Sequence, residues 1–121
     1  MCHAIGYKGG ELGPGFSRVG AIRTRRDLLE AILYPSVGFV RSYESVDVAQ
    51  YDDTRHFGII RNQGTTGITP GTSAVTLDVK VKLSDIKIMT PGEVNLMPGA
   101  YGQILTSEEL ADLIAFLHSM K

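Results

Sequence analysis

Hydrophobic positions recur with a helical period towards both ends of the chain. Near the start they form one stripe: Leu28, Leu29, Ile32 and Leu33. Thr24 and Asp27 have the spacing of a capping box and Pro35 disfavours further helix, so a helix is predicted to begin at Thr24 and end before Pro35. Near the end, Thr106 and Glu109 form a second capping box. The stripe behind it has i, i+3, i+4, i+7 spacing: Leu110, Leu113, Ile114 and Leu117.

The middle of the chain has the two-residue period of β-strands. Val46 and Val48 alternate with polar residues before the turn signal Asp52-Asp53, and an apolar run at 57–60 follows, which predicts a hairpin. A further alternating run contains Val75, Leu77, Val79, Val81 and Leu83, and one more short strand contains Ile86 and Ile88. The glycine-rich stretches 6–20 and 63–73 are predicted to be loops.

These patterns predict an α+β fold in which two helical segments are split by an inserted small antiparallel β-barrel or sheet. Residues 1–42 and 90–121 form the helical part, and residues 43–89 form the β-insert. Four or five short strands with one apolar face usually close into a barrel or curl into a sandwich. We expect the two helical segments to pack together.

Composition excludes several classes of function. The 121 residues are 43% hydrophobic and 21% charged, as in a folded domain. A net charge of −1 gives no electrostatic footprint for nucleic acid, and no apolar run approaches the roughly 18 residues of a membrane span. The single cysteine excludes internal disulfides and a cysteine-rich zinc site. Charge is distributed unevenly along the chain. Residues 1–43 have a net positive charge and residues 91–121 a net negative charge.

Cys2-His3 is the pair with the most chemical content, and it has three interpretations. A nucleophilic cysteine with a histidine base is one, although such partners normally meet in space and no oxyanion-hole motif accompanies the pair. A disordered terminus without a role is the second. The third is the tail of Cys-x-x-Cys-His, the attachment site of c-type haem. Pro14 could then present a carbonyl to the second ring nitrogen of His3, and Met97 could supply the thioether that is often the sixth ligand.

The third interpretation agrees with a resemblance that runs through nearly the whole chain. Its segments, written by residue number, are 2–6, 9–10, 12–14, 27–36, 43–46, 58–60, 75–77, 84–86, 96–98 and 105–117. In this order they resemble the haem-binding cytochrome c domain found in planctomycete-type bacteria. That domain lies at the C-terminal end of large membrane-bound-dehydrogenase-like proteins.

The resemblance implies a function and a set of site residues. Cys2 would be a thioether attachment point of haem c, His3 the proximal iron ligand and Met97 the distal one, and Pro14 would hold His3. The domain would transfer electrons rather than act as an enzyme, and its redox partner would be a dehydrogenase domain or protein. Its location would be periplasmic or otherwise extracytoplasmic. The helical parts would be cytochrome c-like, with the β-segment as an insertion between the two ligand-bearing halves.

The sequence departs from the motif at its start. The first cysteine of Cys-x-x-Cys-His and the helix before it do not occur in this sequence, so the resemblance implies a domain truncated at its N-terminus. That helix would normally cover the apolar stripe of residues 110–117. Without it we expect self-association of the chain through the C-terminal helix, or a rearranged terminus.

Several alternatives remain open on the sequence alone. The β-insert could be a non-catalytic interaction module in a chain that carries no haem, and a cluster of Tyr43, Tyr51 and Phe57 would support that function. Met89 is a rival to Met97 as a ligand, although its alternating neighbours favour core packing. Three arginines open the first helix and could pair with haem propionates, dock a partner or simply be solvated: Arg23, Arg25 and Arg26. His56 and His118 are expected to be structural.

Overall fold

The computed structural model describes residues 2–64, 67–71 and 80–121. The described residues contain both helices and antiparallel sheets, which confirms the mixed α+β class. The chain divides into two compact units. One consists of Met1–Phe39 with Met97–Lys121, and the other is Val40–Leu96.

The first unit contains the helices. Its elements are β1 (Ala4–Ile5), β2 (Lys8–Gly9), α1 (Val19–Ile22), α2 (Arg25–Leu33), α3 (Tyr101–Ile104) and α4 (Ser107–Ser119). The stretch 6–20 was predicted to be only loop, and that prediction is wrong at both ends. Glycines permit the tight hairpin β1–β2, because Gly6 and Gly9 adopt φ values of 59° and 124°. The described helices are all too short or too polar to cross a bilayer.

Both predicted capping boxes are present. Thr24 Oγ1 accepts a hydrogen bond from Asp27 N at 3.2 Å, and Asp27 Oδ2 accepts one from Thr24 N at 2.9 Å. The same reciprocal pair joins Thr106 and Glu109 at the start of α4, with distances of 3.2 and 2.8 Å. Hydrogen bonds from these threonines lower the pKa of Asp27 and of Glu109 below their ordinary values.

A small core joins α2 to α4. Leu28 and Ile32 of α2 are buried against Leu117 of α4. Partly buried apolar side chains surround them: Phe16, Val19, Met97, Tyr101, Leu110, Leu113 and Ile114. The apolar stripe of α4 therefore packs on α2, as expected for the two helical segments. Self-association through α4 stays a prediction.

The second unit is a five-stranded antiparallel sheet. Its strands are β3 (Ser45–Gln50), β4 (Arg55–Gln63), β5 (Gly67–Gly71), β6 (Val81–Lys82) and β7 (Ile86–Pro91), in the order β6-β5-β4-β3-β7. The predicted hairpin is confirmed as β3–β4, and β7 is confirmed as a strand. Strand β5 lies inside the predicted loop 63–73, so that prediction is wrong. The predicted strand positions Val75, Leu77 and Val79 lie outside the described residues.

The expectation of a closed barrel is wrong for the described strands, which form an open sheet. Strand β6 has only two residues, and a 3₁₀ turn at Leu83–Asp85 follows it directly. Strands β6 and β7 therefore form the two edges of the sheet. Its core is correspondingly small, with Val48 and Val81 buried among Val46, Ile60 and Ile86.

Candidate functional site

The backbone around His3 is held from two sides. On one side, β1 pairs with β2, with Ala4 opposite Gly9. On the other side, Cys2 O accepts from Gly13 N and Ala4 O accepts from Phe16 N, both at 2.8 Å. These bonds lay residues 2–4 alongside residues 13–16, so the direction of the His3 side chain is determined by its backbone.

The imidazole of His3 makes one hydrogen bond, to a backbone carbonyl. His3 Nδ1 lies 2.8 Å from Pro14 O. A carbonyl oxygen only accepts, so Nδ1 carries the proton, and in the neutral imidazole Nε2 then keeps its lone pair. The contact that the sequence suggested between Pro14 and His3 is therefore present. Histidines that bind metals usually have this arrangement, in which the second ring nitrogen donates to a carbonyl or carboxylate.

Two further residues hold the imidazole ring in its plane. The ring of Phe16 stacks on it, with centroids 4.0 Å apart and an angle of 17° between the planes. Gly13 lies directly against the imidazole ring. A Cβ at this position would stand 2.6 Å from His3 Nδ1, closer than real Cβ atoms approach. Only glycine fits beside the ring, and the site is therefore built for an imidazole in one orientation.

Sequence reasoning did not assign Gly13 or Phe16 to the site. On the sequence, Gly13 belongs to the glycine-rich stretch 6–20 and to the segment 12–14 of the resemblance, and Phe16 belongs to no motif. Nothing in the spacing of Phe16 from His3 indicates a ring contact, since the loop between them must fold back first. The adjacency of Gly13 to Pro14 was the available signal, because a residue next to the bonding carbonyl must also approach the ring.

Cys2 comes directly before His3 and its side chain is exposed. It is a free thiol. The thiol is therefore accessible from solvent. The hydrolase interpretation needs a histidine that acts as a base on the Cys2 thiol. His3 Nδ1 instead bonds to Pro14 O and not to the Cys2 sulfur.

Met97 belongs to the same compact unit as His3. Its side chain is half-buried and packs against the core cluster of α2 and α4. Phe16, which stacks on His3, packs against that same cluster. The chain beyond Met97 crosses the end of α2, where Gly99 approaches Pro35 and Gly102 approaches Leu33. His3 and Met97 are therefore each connected to one core from different parts of the sequence.

Met89, the rival ligand, lies in the other unit. It is on the edge strand β7 opposite Val48, and its side chain is 44% exposed. The expectation that Met89 packs in the core is therefore wrong. The reason is its edge position, since no further described strand pairs with β7 on its outer side.

The other histidines have ordinary surroundings. His56 Nε2 lies 2.8 Å from Gln50 Nε2, across the β3–β4 hairpin. His118 lies in the last turn of α4. Within the described parts of the chain, no three His, Cys, Asp or Glu side chains come together as a metal site.

The aromatic residues suggested for an interaction surface do not form one cluster. Tyr43 precedes β3 and Tyr51 follows it, so the two lie at opposite ends of a six-residue strand, about 20 Å long. Phe57 is 37% exposed, and its ring covers Gly92, whose Cβ position is 3.1 Å from the ring.

Neither the comparison with protein-family models nor the comparison with curated proteins finds a match to this chain. A function therefore has to be inferred from the residues of the site.

Proposed function

We propose that the helical unit is a c-type cytochrome domain that transfers electrons, with His3 Nε2 and Met97 Sδ as axial ligands of a haem iron. The observation that carries the proposal is the hydrogen bond from His3 Nδ1 to Pro14 O, with Nε2 left available. A neutral imidazole of this tautomer is a good iron ligand, and the carbonyl increases its basicity.

The packing of the helical unit supports the same proposal. Its buried apolar residues, among those described, are Leu12, Leu28, Ile32 and Leu117. Seven apolar side chains pack against three of these four residues, Leu28, Ile32 and Leu117, and are only partly buried, and Met97 is one of the seven. A haem would offer these side chains the apolar surface that a core of four residues does not. The residues present therefore fit the group.

Each residue of the site has a distinct task in this proposal. Pro14 and Phe16 fix the orientation of the His3 ring, and Gly13 leaves room for it. Cys2 provides the thiol for a thioether link. The haem would supply the one-electron redox couple, and ligation by histidine and methionine favours a high potential.

The setting of the domain is taken from the resemblance to the cytochrome c domain. It transfers electrons without being an enzyme itself, and it exchanges them with a dehydrogenase domain or protein. Attachment of haem c implies an extracytoplasmic or periplasmic location.

Reconstitution with ferric haem tests the ligand assignment on the chain as it stands. We expect the absorption spectrum of a low-spin complex in the intact chain, with the weak long-wavelength band of a methionine–iron bond. Met97→Leu should lose that band and Met89→Leu should keep it. His3→Gly should bind poorly and recover on addition of imidazole, while His56→Gly should bind normally. Circular dichroism checks that each variant is folded.

Two results would contradict the proposal. One is a folded chain that gives no haem spectrum, and the other is a spectrum that is equally intense in His3→Gly. The thioether is tested separately by the pyridine haemochrome after expression with the haem-attachment machinery. There Cys2→Ala should shift the spectrum to that of unlinked haem.

A further inference from the structure

Four exposed arginines surround the short helix α1 and the first turn of α2. With two exposed apolar or aromatic neighbours they form what we call the arginine surface: Tyr7, Arg18, Ile22, Arg23, Arg25 and Arg26. In the parts of the chain that the structure describes, none of the four arginines forms an ion pair. The carboxylate of Asp27 lies nearby, and its hydrogen bonds go to Thr24.

The position of two of these arginines is electrostatically unfavourable. Arg25 and Arg26 are the first two residues of α2, after the cap Thr24. The N-terminus of a helix carries a partial positive charge, so cations there raise the free energy of the fold. An external carboxylate placed against these two side chains would offset that cost.

The surface is not only charged. Ile22 lies between Arg18 and Arg23 and is 77% exposed, and Tyr7 is fully exposed. The turn that carries Tyr7 is tied to the residue before Arg18, because Gly6 N donates to Ser17 Oγ at 2.7 Å. Arginine and tyrosine beside an exposed aliphatic side chain are typical of protein–protein interfaces, in which lysine and glutamate are depleted.

We propose that the arginine surface docks an acidic protein surface whose carboxylates pair with the four arginines around an apolar contact on Ile22. The planar guanidinium groups favour this, because each can bind a carboxylate through two parallel hydrogen bonds. The chain itself carries a net charge of −1, and residues 91–121 contain more acidic than basic residues. That balance opposes binding of a long polyanion, and helix α1 is too short to lie in a membrane interface.

The arginine surface is next to the loop that holds His3. Arg18 follows two residues after Phe16, whose ring stacks on His3. A partner docked here would stand beside the proposed iron ligand, as electron exchange requires. This placement relative to haem rests on the proposed function, whereas the docking itself does not.

Fluorescence anisotropy on the haem-free chain tests the docking. The probe is a labelled peptide of alternating glutamate and leucine, and the comparison probes are a glutamate–serine peptide, a single-stranded oligonucleotide and phosphatidylglycerol vesicles. We expect the glutamate–leucine peptide to bind most tightly and to lose affinity with added salt. The double variant Arg25→Glu/Arg26→Glu should weaken this binding by about tenfold or more. The control Arg41→Glu/Lys87→Glu has the same change of charge on exposed residues of the sheet unit and should stay within about twofold.

A separate variant tests the apolar contact on Ile22. Ile22→Ser should weaken binding of the glutamate–leucine peptide and leave the glutamate–serine peptide unchanged. The reversed-charge variant is expected to have a thermal midpoint at or above that of the intact chain, because acidic residues suit the N-terminus of α2. A loss of binding in that variant therefore cannot be attributed to unfolding.

Three results would overturn the docking surface. They are the absence of peptide binding at low salt, an equal loss of binding in the control variant, and tighter binding of the oligonucleotide or the vesicles than of either peptide. Since no haem is present in this experiment, its outcome is independent of the ligand assignment above.

Discussion

At the scale of single residues, the environment of His3 is the most specific feature of the molecule. Pro14 accepts the hydrogen bond of Nδ1, Phe16 stacks on the ring, and Gly13 leaves the space that the ring occupies. Each neighbour restricts a different degree of freedom: the tautomer, the ring plane and the position.

Gly13→Ala tests whether this fit is tight. The added Cβ would stand 2.6 Å from His3 Nδ1, so the ring must shift and the bond to Pro14 must weaken. We expect a loss of about 1–3 kcal/mol in the free energy of unfolding, measured by urea denaturation.

Gly38→Ala is the matched control, since a Cβ at Gly38 would meet no atom within 4 Å. It should leave the free energy of unfolding nearly unchanged. Equal stability of both variants would show that the His3 ring accommodates the methyl group at no cost.

At the scale of elements, the two longer helices of the first unit are determined at their starts by threonine caps. Thr106 accepts the backbone N–H of Glu109, an N–H that has no partner within the helix itself. The apolar stripe behind the cap then packs on α2. The cap and the packing of the apolar stripe therefore both stabilise α4.

Thr106→Ala removes the cap of α4 and leaves the stripe intact. We expect it to lower the free energy of unfolding by about 1 kcal/mol. Ser107→Ala, one residue further into the helix, is the control and should change stability by less than about 0.5 kcal/mol. Thermal or urea denaturation measures both, and equal effects would show that the cap does not limit stability.

In the first turn of α2 we expect a substitution to stabilise the fold. Arg25→Glu/Arg26→Glu places acidic side chains where the helix dipole favours them. We expect each substitution to raise the free energy of unfolding by about 0.3–1 kcal/mol at low salt, with the gain falling as salt is added. A decrease in stability would mean that the arginines make contacts that stabilise the fold.

At the scale of the whole molecule, two compact units with small cores share one chain. The helical unit has an acidic start of α4, with Glu108 and Glu109, while its arginines lie around α1 and the start of α2. Gly20 of α1 donates to Met120 O at the other end of α4, at 2.7 Å. The unit is therefore basic near the end of α4 and acidic near its start. Such a separation of charge would favour one orientation of an oppositely charged partner.

Acid should destabilise the helical unit through its two capping carboxylates. The folded pKa of Asp27 and of Glu109 is lowered by hydrogen bonds from threonine, so the unfolded chain binds more protons on acidification. Their contribution is complete above the ordinary carboxyl pKa of about 4 and is lost as the pH falls through the lowered values.

Thermal midpoints recorded as a function of pH test this contribution. The intact chain should lose stability as the pH falls below about 4. The variant Asp27→Asn/Glu109→Gln should show a shallower decline, and Glu108→Gln, which removes a carboxylate without a cap bond, should follow the intact chain. Parallel curves for all three would assign the acid sensitivity to other groups.

The sequence by itself determined the elements whose signals are local. Two capping boxes and their apolar stripes gave α2 and α4, and alternation around Asp52-Asp53 gave the hairpin β3–β4. It also singled out His3, Pro14 and Met97, since a histidine, a proline near it and a methionine before a proline have recognisable chemistry. The assignment of haem to them stays a prediction.

Only the tertiary structure decided what depends on contacts between distant residues. Strand β5 is a strand because β4 and β6 pair with it, although its composition is typical of a loop. Among the described strands the sheet is open, with the two-residue strand β6 at one edge and β7, which carries the exposed Met89, at the other. Phe16 reaches His3 because the loop between them folds back. Hydrogen-bond pairing and ring stacking across a loop have no period in the sequence, and this is the physical reason why they appear only in the fold.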